Sequence, residues 1–251
     1  MQHSIIGGPT HKPARIKKDT SSPLQGLRNT IFNEDCLEGM KRIPDKSVTM
    51  VLTDIPYGEC NSFAPGIRQL NKGAADTVTF DIEPFIREID RIVTGSVYTF
   101  CGFEQVSEIR KLLKSLGYTT RLCIWNKSNP MPLNGKNVWL SNVEACIYGK
   151  KRHATFNEHC KGTVWNFPVG RSKRHPTEKP LKLMEYLISV SSDAGDVILD
   201  PCMGSGTTAE AAKMLGRDYI GFEINDDFYN VAMQRVGNRP SQDSANACAC
   251  S

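Results

Sequence analysis

The chain has 251 residues, 39% of them hydrophobic and 23% charged, which suits one globular α/β core. It shows no apolar run long enough to span a membrane and no N-terminal secretory signal, so we expect an intracellular protein of a bacterial cytoplasm or a eukaryotic nucleus. The nine cysteines are scattered, which favours reduced thiols, and we expect no metal site; the net charge of +4 permits a nucleic-acid partner without requiring one.

Segments typical of strands and helices alternate along the chain. The predicted strands are Thr30–Asn33, Val48–Thr53, Ser96–Cys101, Thr119–Asn126, Asn142–Tyr148, Val164–Phe167, Asp196–Asp200 and Asp218–Glu223. The predicted helices are Asp35–Ile43, Glu104–Leu116, Leu181–Ser191, Thr207–Leu215 and Asp226–Val236. This alternation predicts an α/β fold with a doubly wound, mostly parallel sheet. We place the domain at residues 29–239, between a flexible extension at 1–28 and a polar tail at 240–251.

Two segments interrupt the alternation. Residues 59–76 are rich in Gly, Pro, Asn and Ser, and a loop of this length is commonly functional or disordered. Residues 127–174 contain short strands, Trp139 and Trp165, and most of the excess basic charge. This composition predicts a small basic insertion that contacts nucleic acid, and a solvated hairpin explains residues 150–152 better if they are considered alone. The basic residues assigned to this contact are Lys127, Lys136, Lys150, Lys151, Arg152 and Arg171.

A glycine loop joins the strand Asp196–Asp200 to the next helix. Gly204 and Gly206 let the backbone approach a ligand at a helix N-terminus, and Glu223 ends the following strand, where a carboxylate can accept from ribose hydroxyls. The loop sequence GSGTTA also matches a dinucleotide fingerprint. Asp200 would repel a pyrophosphate, however, and suits a ligand that is cationic at this end, such as the α-ammonium of S-adenosylmethionine. A phosphate-binding turn in which Asp200 caps the helix is the alternative.

The tetrapeptide Asp54-Ile55-Pro56-Tyr57 ends a second buried strand. In an open α/β sheet, ligands bind beyond the carboxyl ends of the strands, so this tetrapeptide and the glycine loop could share one site. An exocyclic base amine is a poor nucleophile because its lone pair is delocalised into the ring. The Asp54 carboxylate and the Ile55 carbonyl offer two acceptors for its hydrogens, and the Tyr57 ring can stack on an extruded base. A strand-ending turn beside a buried tyrosine is the alternative.

A third motif, HPTEKP, occupies residues 175–180 and precedes a predicted helix. Pro180 suits the first helical position, where its missing N–H costs nothing. Thr177 could cap the helix, and Lys179 could reach an anionic group such as a ligand carboxylate. Considered alone, the motif is better explained as a well-capped helix.

Together the three motifs resemble the permuted, β-type family of DNA amino-methyltransferases. That family shows an (Asp/Asn/Ser)-Pro-Pro-aromatic motif, a target-recognition region, a HxTxKP motif and a cofactor glycine loop, and this order recurs here over about residues 29–236. The resemblance implies a Rossmann-like fold, S-adenosylmethionine as cofactor, DNA as partner and direct methyl transfer to N6 of adenine in a flipped base. N4 of cytosine is the alternative target. Homodimers are frequent in the family, so a homodimer is compatible with the resemblance.

The resemblance also assigns roles to individual residues. The catalytic residues are Asp54, Ile55, Pro56 and Tyr57. The cofactor-binding residues are Asp35, Thr177, Lys179, Asp200, Gly204, Ser205, Gly206, Thr207 and Glu223, with Glu223 on the ribose and Asp35 on the adenine side. Ile55 stands where the family has proline, so the fixed φ of proline is lost while the backbone carbonyl is kept. This departure leaves open a catalytically inactive DNA-binding subunit, and a nicotinamide-dependent oxidoreductase is a third interpretation.

Overall fold

The computed structural model describes residues 23–57, 81–130, 135–170 and 178–237. Within these ranges the strands are β1 (Thr30–Phe32), β2 (Val48–Asp54), β3 (Val93–Cys101), β4 (Thr119–Lys127), β5 (Val143–Lys150), β6 (Val164–Phe167), β7 (Val197–Asp200) and β8 (Asp218–Phe222). The helices are α1 (Cys36–Met40), α2 (Ile82–Ile92), α3 (Val106–Ser115), α4 (Leu181–Ser191), α5 (Thr207–Met214) and α6 (Asp226–Gly237). Every predicted strand is present, and its ends differ from the prediction by a few residues at most.

The strands form one sheet in the order β1-β8-β7-β2-β3-β5-β4-β6. Among the strands of the described ranges, only β5 is antiparallel to its neighbours, β3 and β4. The predicted α/β fold with a mostly parallel sheet is therefore confirmed. From β2 the chain continues to β3 on one side, whereas from β7 it continues to β8 on the other side. The strand order thus reverses between β2 and β7, which is where open α/β sheets bind ligands.

Helices cover both faces of the sheet. Met50 and Leu52 of β2 belong to one apolar core, which also contains side chains of α4, α5 and α6. Val51, between them, belongs to the other core, together with side chains of α1, α2 and α3. Because successive side chains of a strand point to opposite faces, a strand covered on both sides must be apolar at nearly every position. This explains why the sequence of β2 reads as a continuous apolar run.

The direction of β5 decides which of its residues reach the ligand-binding edge of the sheet. Ala145 pairs with Cys101, the last residue of β3, whereas Lys150 pairs with Ser96, nearer its beginning. Glu144 therefore lies at the carboxyl edge of the parallel strands, and Lys150 lies toward the opposite edge. At about 3.4 Å per residue, these two positions are ~20 Å apart along the strand.

One prediction about chain organisation needs correction. Leu24, which the predicted extension includes, is only 1% exposed and lies in the core on the α1 side, so packed structure begins before residue 29. The strands within the predicted insertion, β5 and β6, pair with β3 and β4 and belong to the main sheet. The continuous apolar run Ala145–Tyr148 of β5 fits a sheet position that is covered on both faces, and the basic run 150–152 begins at Lys150, where the strand ends.

Several predicted segments lie outside the part of the chain that the structure describes. The predicted loop at 59–76 and tail at 240–251 lie outside the described residues, as does the extension before residue 23. In the described ranges, no helix combines the length and apolar character needed to cross a membrane. The same ranges hold no group of three or more His, Cys, Asp or Glu side chains arranged for a metal ion.

Candidate active site

Four side chains from three segments of the chain meet at the carboxyl edge of the sheet. Lys179, just before α4, forms ion pairs with Asp54 at the end of β2 and with Glu144 in β5, where Nζ lies 3.0 Å from Oε2. The Tyr57 hydroxyl donates to Asp54 Oδ1 at 2.9 Å and to Glu144 Oε2 at 3.2 Å. The structure therefore joins Asp54 and Tyr57, which the sequence predicts to be catalytic, to a lysine predicted to bind the cofactor.

The Lys179 ammonium is buried, with 4% of the side chain exposed, and lies 5.1 Å from the ring centroid of Phe100. Burial alone would lower the pKa of Lys179, but the carboxylates of Asp54 and Glu144 raise it above its ordinary value. The lysine therefore stays charged. Burial raises the pKa of Asp54, and the attraction of Lys179 offsets only part of this effect. Asp54 is thus the carboxylate of the cluster that protonates more readily.

Glu144 is held in its ionised form by a second lysine. Lys127, the last residue of β4, forms an ion pair with Glu144 Oε1 at 2.7 Å, and its ammonium lies 5.3 Å from the ring centroid of Trp125. Burial opposes ionisation of Glu144, yet Lys179 and Lys127 lower the pKa of Glu144 to about 2. Lys127, predicted to bind nucleic acid, is therefore engaged within the site.

The backbone of the Asp54–Tyr57 segment is fixed although Ile55 replaces proline. The Ile55 N–H donates to the Phe100 carbonyl at 3.1 Å, and the Ile55 side chain is 2% exposed in the core. Gln105 Nε2 donates to the Pro56 carbonyl at 3.0 Å, while Gln105 Oε1 accepts from the Gly102 N–H at 2.9 Å. A proline at position 55 would lack this N–H, so here hydrogen bonds and packing replace its fixed φ.

The glycine loop after β7 lies beside this cluster, because β7 is the neighbour of β2. Gly204 and Gly206 both have positive φ, at 53° and 83°. A Cβ on Gly204 would meet nothing within 4 Å, so this side of the loop faces open space, whereas a Cβ on Gly206 would lie 3.0 Å from the Ala232 backbone. Gly206 is thus required for packing against α6, and Gly204 leaves room for a ligand.

Two carboxylates flank the glycine loop. Asp200, the last residue of β7, is 3% exposed, and burial raises its pKa to about 7 despite hydrogen bonds from the Thr208 hydroxyl and the Cys202 N–H. Glu223, just after β8, accepts from the Gly204 N–H and the Asn225 N–H, each at 2.8 Å. Because each carboxylate oxygen has two lone pairs, Glu223 keeps acceptor capacity for a ligand.

Arg235 of α6 links the glycine loop to the segment that precedes α4. Its Nη1 donates to the Ser205 carbonyl at 3.0 Å and to the hydroxyls of Ser205 and Thr207 at 2.9 and 2.8 Å. The guanidinium also forms ion pairs with Glu178 and, at 2.7 Å, with Glu210. Because Arg235 is buried, these contacts replace water and fix the position of the loop. Ser205 and Thr207, both predicted to bind the cofactor, are thus held from behind.

Asp35 follows β1 and therefore lies at the same edge of the sheet as the glycine loop. Its Oδ1 accepts from the N–H groups of Leu37 and Glu38, at 2.8 and 3.1 Å, so Asp35 caps α1. Two residues earlier, Asn33 Nδ2 donates to the Glu223 carbonyl at 3.0 Å, which ties this segment to the end of β8. The position suits the predicted contact with the adenine side of a cofactor, and that contact stays a prediction.

The remaining basic residues predicted to bind nucleic acid are not brought together. Lys136 is exposed in the connection between β4 and β5. Residues 150–152 lie toward the opposite edge, where Lys151 Nζ forms an ion pair with Asp90 at 2.8 Å and donates to the Val93 carbonyl. These residues are close in the chain but apart in the structure, because the reversed strand β5 runs from one edge of the sheet to the other. Thr177 and Arg171 lie outside the described residues.

Three residues of the site are absent from the sequence prediction. Glu144 stands out in the sequence only as an acidic residue in a basic segment, and Gln105 carries no signal. Arg235 does carry a signal, because it lies three residues after Ala232 and next to Val236, on the buried side of the helix. An arginine on the apolar side of a helix needs buried acceptors, and that requirement is visible before the fold is known.

Several known proteins resemble this chain. A family model described as DNA methylase matches residues 136–234. Type II methyltransferase M.HinfI of Haemophilus influenzae is 31% identical over 245 residues, which cover 83% of this chain and 68% of the relative. DNA adenine methyltransferase YhdJ of Escherichia coli (strain K12) is 27% identical over 244 residues, or 82% of each chain. The crystal structure of the M1.HpyAVI-SAM complex aligns with a TM-score of 0.66 at 27% identity, over 83% of this chain and 99% of that one.

The contacts of Arg235 predict a large and specific loss of stability on its removal. Arg235→Met leaves the carboxylates of Glu178 and Glu210 without their cation, and we expect the free energy of unfolding to fall by about 3 kcal/mol. The matched control is Arg87→Met, which removes an ion pair between Arg87 and Glu83. Both of these side chains are more than half exposed, so the free energy of unfolding should fall by less than about 0.5 kcal/mol. Urea unfolding measures both, and equal losses would show that Arg235 does not hold the loop.

Proposed function

The chain belongs to the family of N6-adenine and N4-cytosine DNA methyltransferases, and we propose that it transfers a methyl group from S-adenosylmethionine to N6 of adenine in DNA. The observation that carries this proposal is the placement of Asp54 and Asp200 at the ends of the neighbouring strands β2 and β7. One carboxylate is positioned for the substrate amine and the other for the cofactor. Adenine is favoured over cytosine because the relative YhdJ is a DNA adenine methyltransferase that matches over most of both chains.

The residues around the glycine loop fit S-adenosylmethionine. The open space beside Gly204 admits a ligand against the backbone, and Asp200 offers a buried carboxylate to the α-ammonium group. Glu223 has acceptor capacity for the ribose hydroxyls at the end of the next strand. A dinucleotide would place a pyrophosphate against Asp200, which argues against a nicotinamide-dependent oxidoreductase. When bound, S-adenosylmethionine would supply an electrophilic methyl group, and its sulfonium sulfur would leave as a neutral thioether as the S–C bond breaks.

The Asp54–Tyr57 segment provides the groups that act on the base. Asp54 and the Ile55 carbonyl accept the hydrogens of the amine, which draws its lone pair out of the ring and toward the methyl carbon. As the new N–C bond forms, the nitrogen becomes cationic and releases one proton, for which Asp54 is the adjacent acceptor. The Tyr57 ring, oriented by the bonds of its hydroxyl to Asp54 and Glu144, is placed to stack on the flipped base.

A surface of three apolar residues marks the side from which DNA approaches. Trp139 is 98% exposed, and Val138 and Leu140 beside it are 46% and 37% exposed. These residues lie in the connection from β4 to β5, which begins and ends at the same sheet edge as Asp54. Exposed apolar side chains at the entrance of a site indicate a partner, and an indole can stack on bases. Lys136 in the same connection supplies a contact for phosphate.

The rival interpretation, an inactive DNA-binding subunit, rests on the single replacement of proline by Ile55. The hydrogen bonds from Ile55 to Phe100 and from Gln105 to Pro56 hold the segment without the proline ring. The carbonyl group used in the reaction belongs to the backbone and does not depend on the side chain. These contacts favour an active enzyme over an inactive subunit.

The main test is methyl transfer to unmethylated genomic DNA from labelled S-adenosylmethionine, followed by nucleoside analysis with mass spectrometry. We expect N6-methyladenine, and Asp54→Ala should lower the transfer rate by at least about 100-fold because an acceptor of the transition state is lost. Asp54→Asn keeps the shape of the side chain and should also be impaired, whereas Asp45→Asn, at an exposed carboxylate, should retain the wild-type rate. N4-methylcytosine as product, or full activity of Asp54→Ala, would contradict the proposal.

The pKa of Asp200 predicts how cofactor affinity depends on pH. Because burial raises this pKa to about 7, the carboxyl is protonated below pH 7 and must release its proton before it can pair with an ammonium. Affinity should therefore be highest above pH 7 and fall by up to about tenfold per unit as the pH decreases below it. Calorimetric titration with S-adenosylmethionine measures this, and Asp200→Asn should bind weakly with no such dependence. A slope unchanged in Asp200→Asn would assign the proton to another group.

The position of Lys136 and Trp139 predicts which basic residues matter for DNA. The double variant Lys136→Gln/Trp139→Ala should weaken DNA binding and reduce its salt dependence by about one phosphate contact. The matched double variant Lys150→Gln/Arg152→Gln, which alters the opposite edge, should bind as the wild type does. Fluorescence anisotropy with a labelled duplex at several salt concentrations compares them. The reverse result would place the DNA on the other edge of the sheet.

A further inference from the structure

Glu144 belongs to the charge cluster, but the sequence motifs do not include it, and the proposed reaction uses it only to orient Tyr57. Its side chain is 19% exposed, and its two oxygens have different partners. Oε1 pairs with Lys127, whereas Oε2 pairs with Lys179 and accepts from the Tyr57 hydroxyl. The strand register fixes this arrangement, since Glu144 pairs with Trp125 of β4. A carboxylate that is largely removed from water is costly, so its presence here calls for a reason.

The proposed reaction creates a competition at Asp54. Its Oδ1 already accepts from the Tyr57 hydroxyl, and its Oδ2 already pairs with Lys179. Each oxygen keeps a second lone pair, but a neutral amine that shares these oxygens meets a carboxylate whose charge Lys179 already neutralises. A lysine that left Asp54 with no other anion nearby would become an unpaired buried cation, which is strongly unfavourable. Asp54 alone would therefore stay bound to Lys179 and be a poor acceptor.

We propose that Glu144 is a positioning residue for methyl transfer, which holds the Lys179 ammonium and the Tyr57 hydroxyl when the adenine amine takes their place on Asp54. This inference rests on the proposed function. The distances support it, because Lys179 Nζ already lies 3.0 Å from Glu144 Oε2 and the Tyr57 hydroxyl lies 3.2 Å from it. The Lys179 ammonium and the Tyr57 hydroxyl can therefore move from Asp54 to Glu144 by small shifts of their side-chain ends. No covalent step is assigned to Glu144.

Lys127 completes the arrangement. With Lys127 paired to Oε1, the cluster holds two carboxylates and two ammonium groups, and its charge is balanced whichever carboxylate Lys179 contacts. The thiols nearest the cluster, Cys101 and Cys146, do not alter this balance, because burial raises the pKa of both and keeps them protonated. Glu144 remains ionised throughout, so it can accept Lys179 without first losing a proton.

The test compares Glu144→Gln with the wild type in the genomic-DNA assay, with Glu158→Gln as a matched control in a glutamate of the same segment that pairs weakly with Lys161. We expect Glu144→Gln to lower kcat by up to about 100-fold while its affinity for S-adenosylmethionine is unchanged. Removing the negative charge of Glu144 also leaves Lys179 on Asp54, which lowers the pKa of Asp54. The acid limb of the kcat profile should therefore move to lower pH. A purely structural role would lower stability and kcat together, so that kcat would recover whenever stability does.

A second variant separates positioning from simple charge imbalance. In Glu144→Gln/Lys127→Gln the unpaired Lys127 is removed as well, so stability in urea unfolding should recover relative to Glu144→Gln, while kcat stays low. Wild-type kcat in either variant, or an unmoved acid limb in Glu144→Gln, would overturn the inference and leave the proposed function intact. Absence of methyl transfer by the wild-type protein would instead overturn the proposed function itself.

Discussion

The parallel pairing of β2 with β7 is the constraint on which the site depends. Met50 and Val51 pair with Ile198 and Leu199, so both strands end at the same edge of the sheet. Neighbouring strands are separated by about 4.8 Å, which brings Asp54 and the glycine loop into one site although they are far apart in the chain. The pairing also sets orientation, because a slip of one residue would turn Asp54 to the other face. Everything else at this edge is arranged around that fixed pair.

Two buried cations hold the remaining segments to this pair, and each is shared by two carboxylates. Lys179 lies between Asp54 and Glu144, and Arg235 lies between Glu178 and Glu210. Glu178 and Lys179 are consecutive residues of opposite charge, so the segment before α4 is bound through Arg235 to the glycine loop and through Lys179 to Asp54 and Glu144. The glycine loop and the charge cluster are therefore connected through two adjacent residues. Neither cation could be removed without leaving an unpaired charge in the interior.

Most of the fold could be predicted from the sequence. The spacing of apolar residues indicates each strand or helix, and glycine and proline residues mark where these elements begin and end. The apolar run of β2, the strand, glycine loop and helix around Gly204, and the proline directly before α4 each carry a signal within a dozen residues. The motif positions Asp54, Tyr57 and Lys179 were predicted as site residues for the same reason. The ion pair between Lys179 and Asp54 was not, since the motif suggested an anionic ligand and pairing partners depend on which strands become neighbours.

What the sequence could not supply is mostly a consequence of one reversed strand. Glu144 and residues 150–152 lie in or just after the same short strand, yet one end of β5 reaches the site and the other lies toward the far edge. A count of basic residues cannot detect this, because direction within a sheet is a long-range property. Gln105 shows the same limit, since its bond to Pro56 arises only when β2 and β3 are side by side.

The hairpin formed by β4 and β5 has a consequence for how the recognised DNA sequence can change in evolution. Asn126 pairs with Val143, and the Lys127 N–H donates to the Asn142 carbonyl at 2.7 Å, so the stem closes immediately beside Glu144. Residues beyond that closure can be lengthened, shortened or exchanged with little effect on the sheet, since doubling a loop costs only about 0.6 kcal/mol in closure entropy. Under the proposed function, the stem is a graft point at which different recognition sequences can be presented to DNA while Asp54 and Glu144 stay in place.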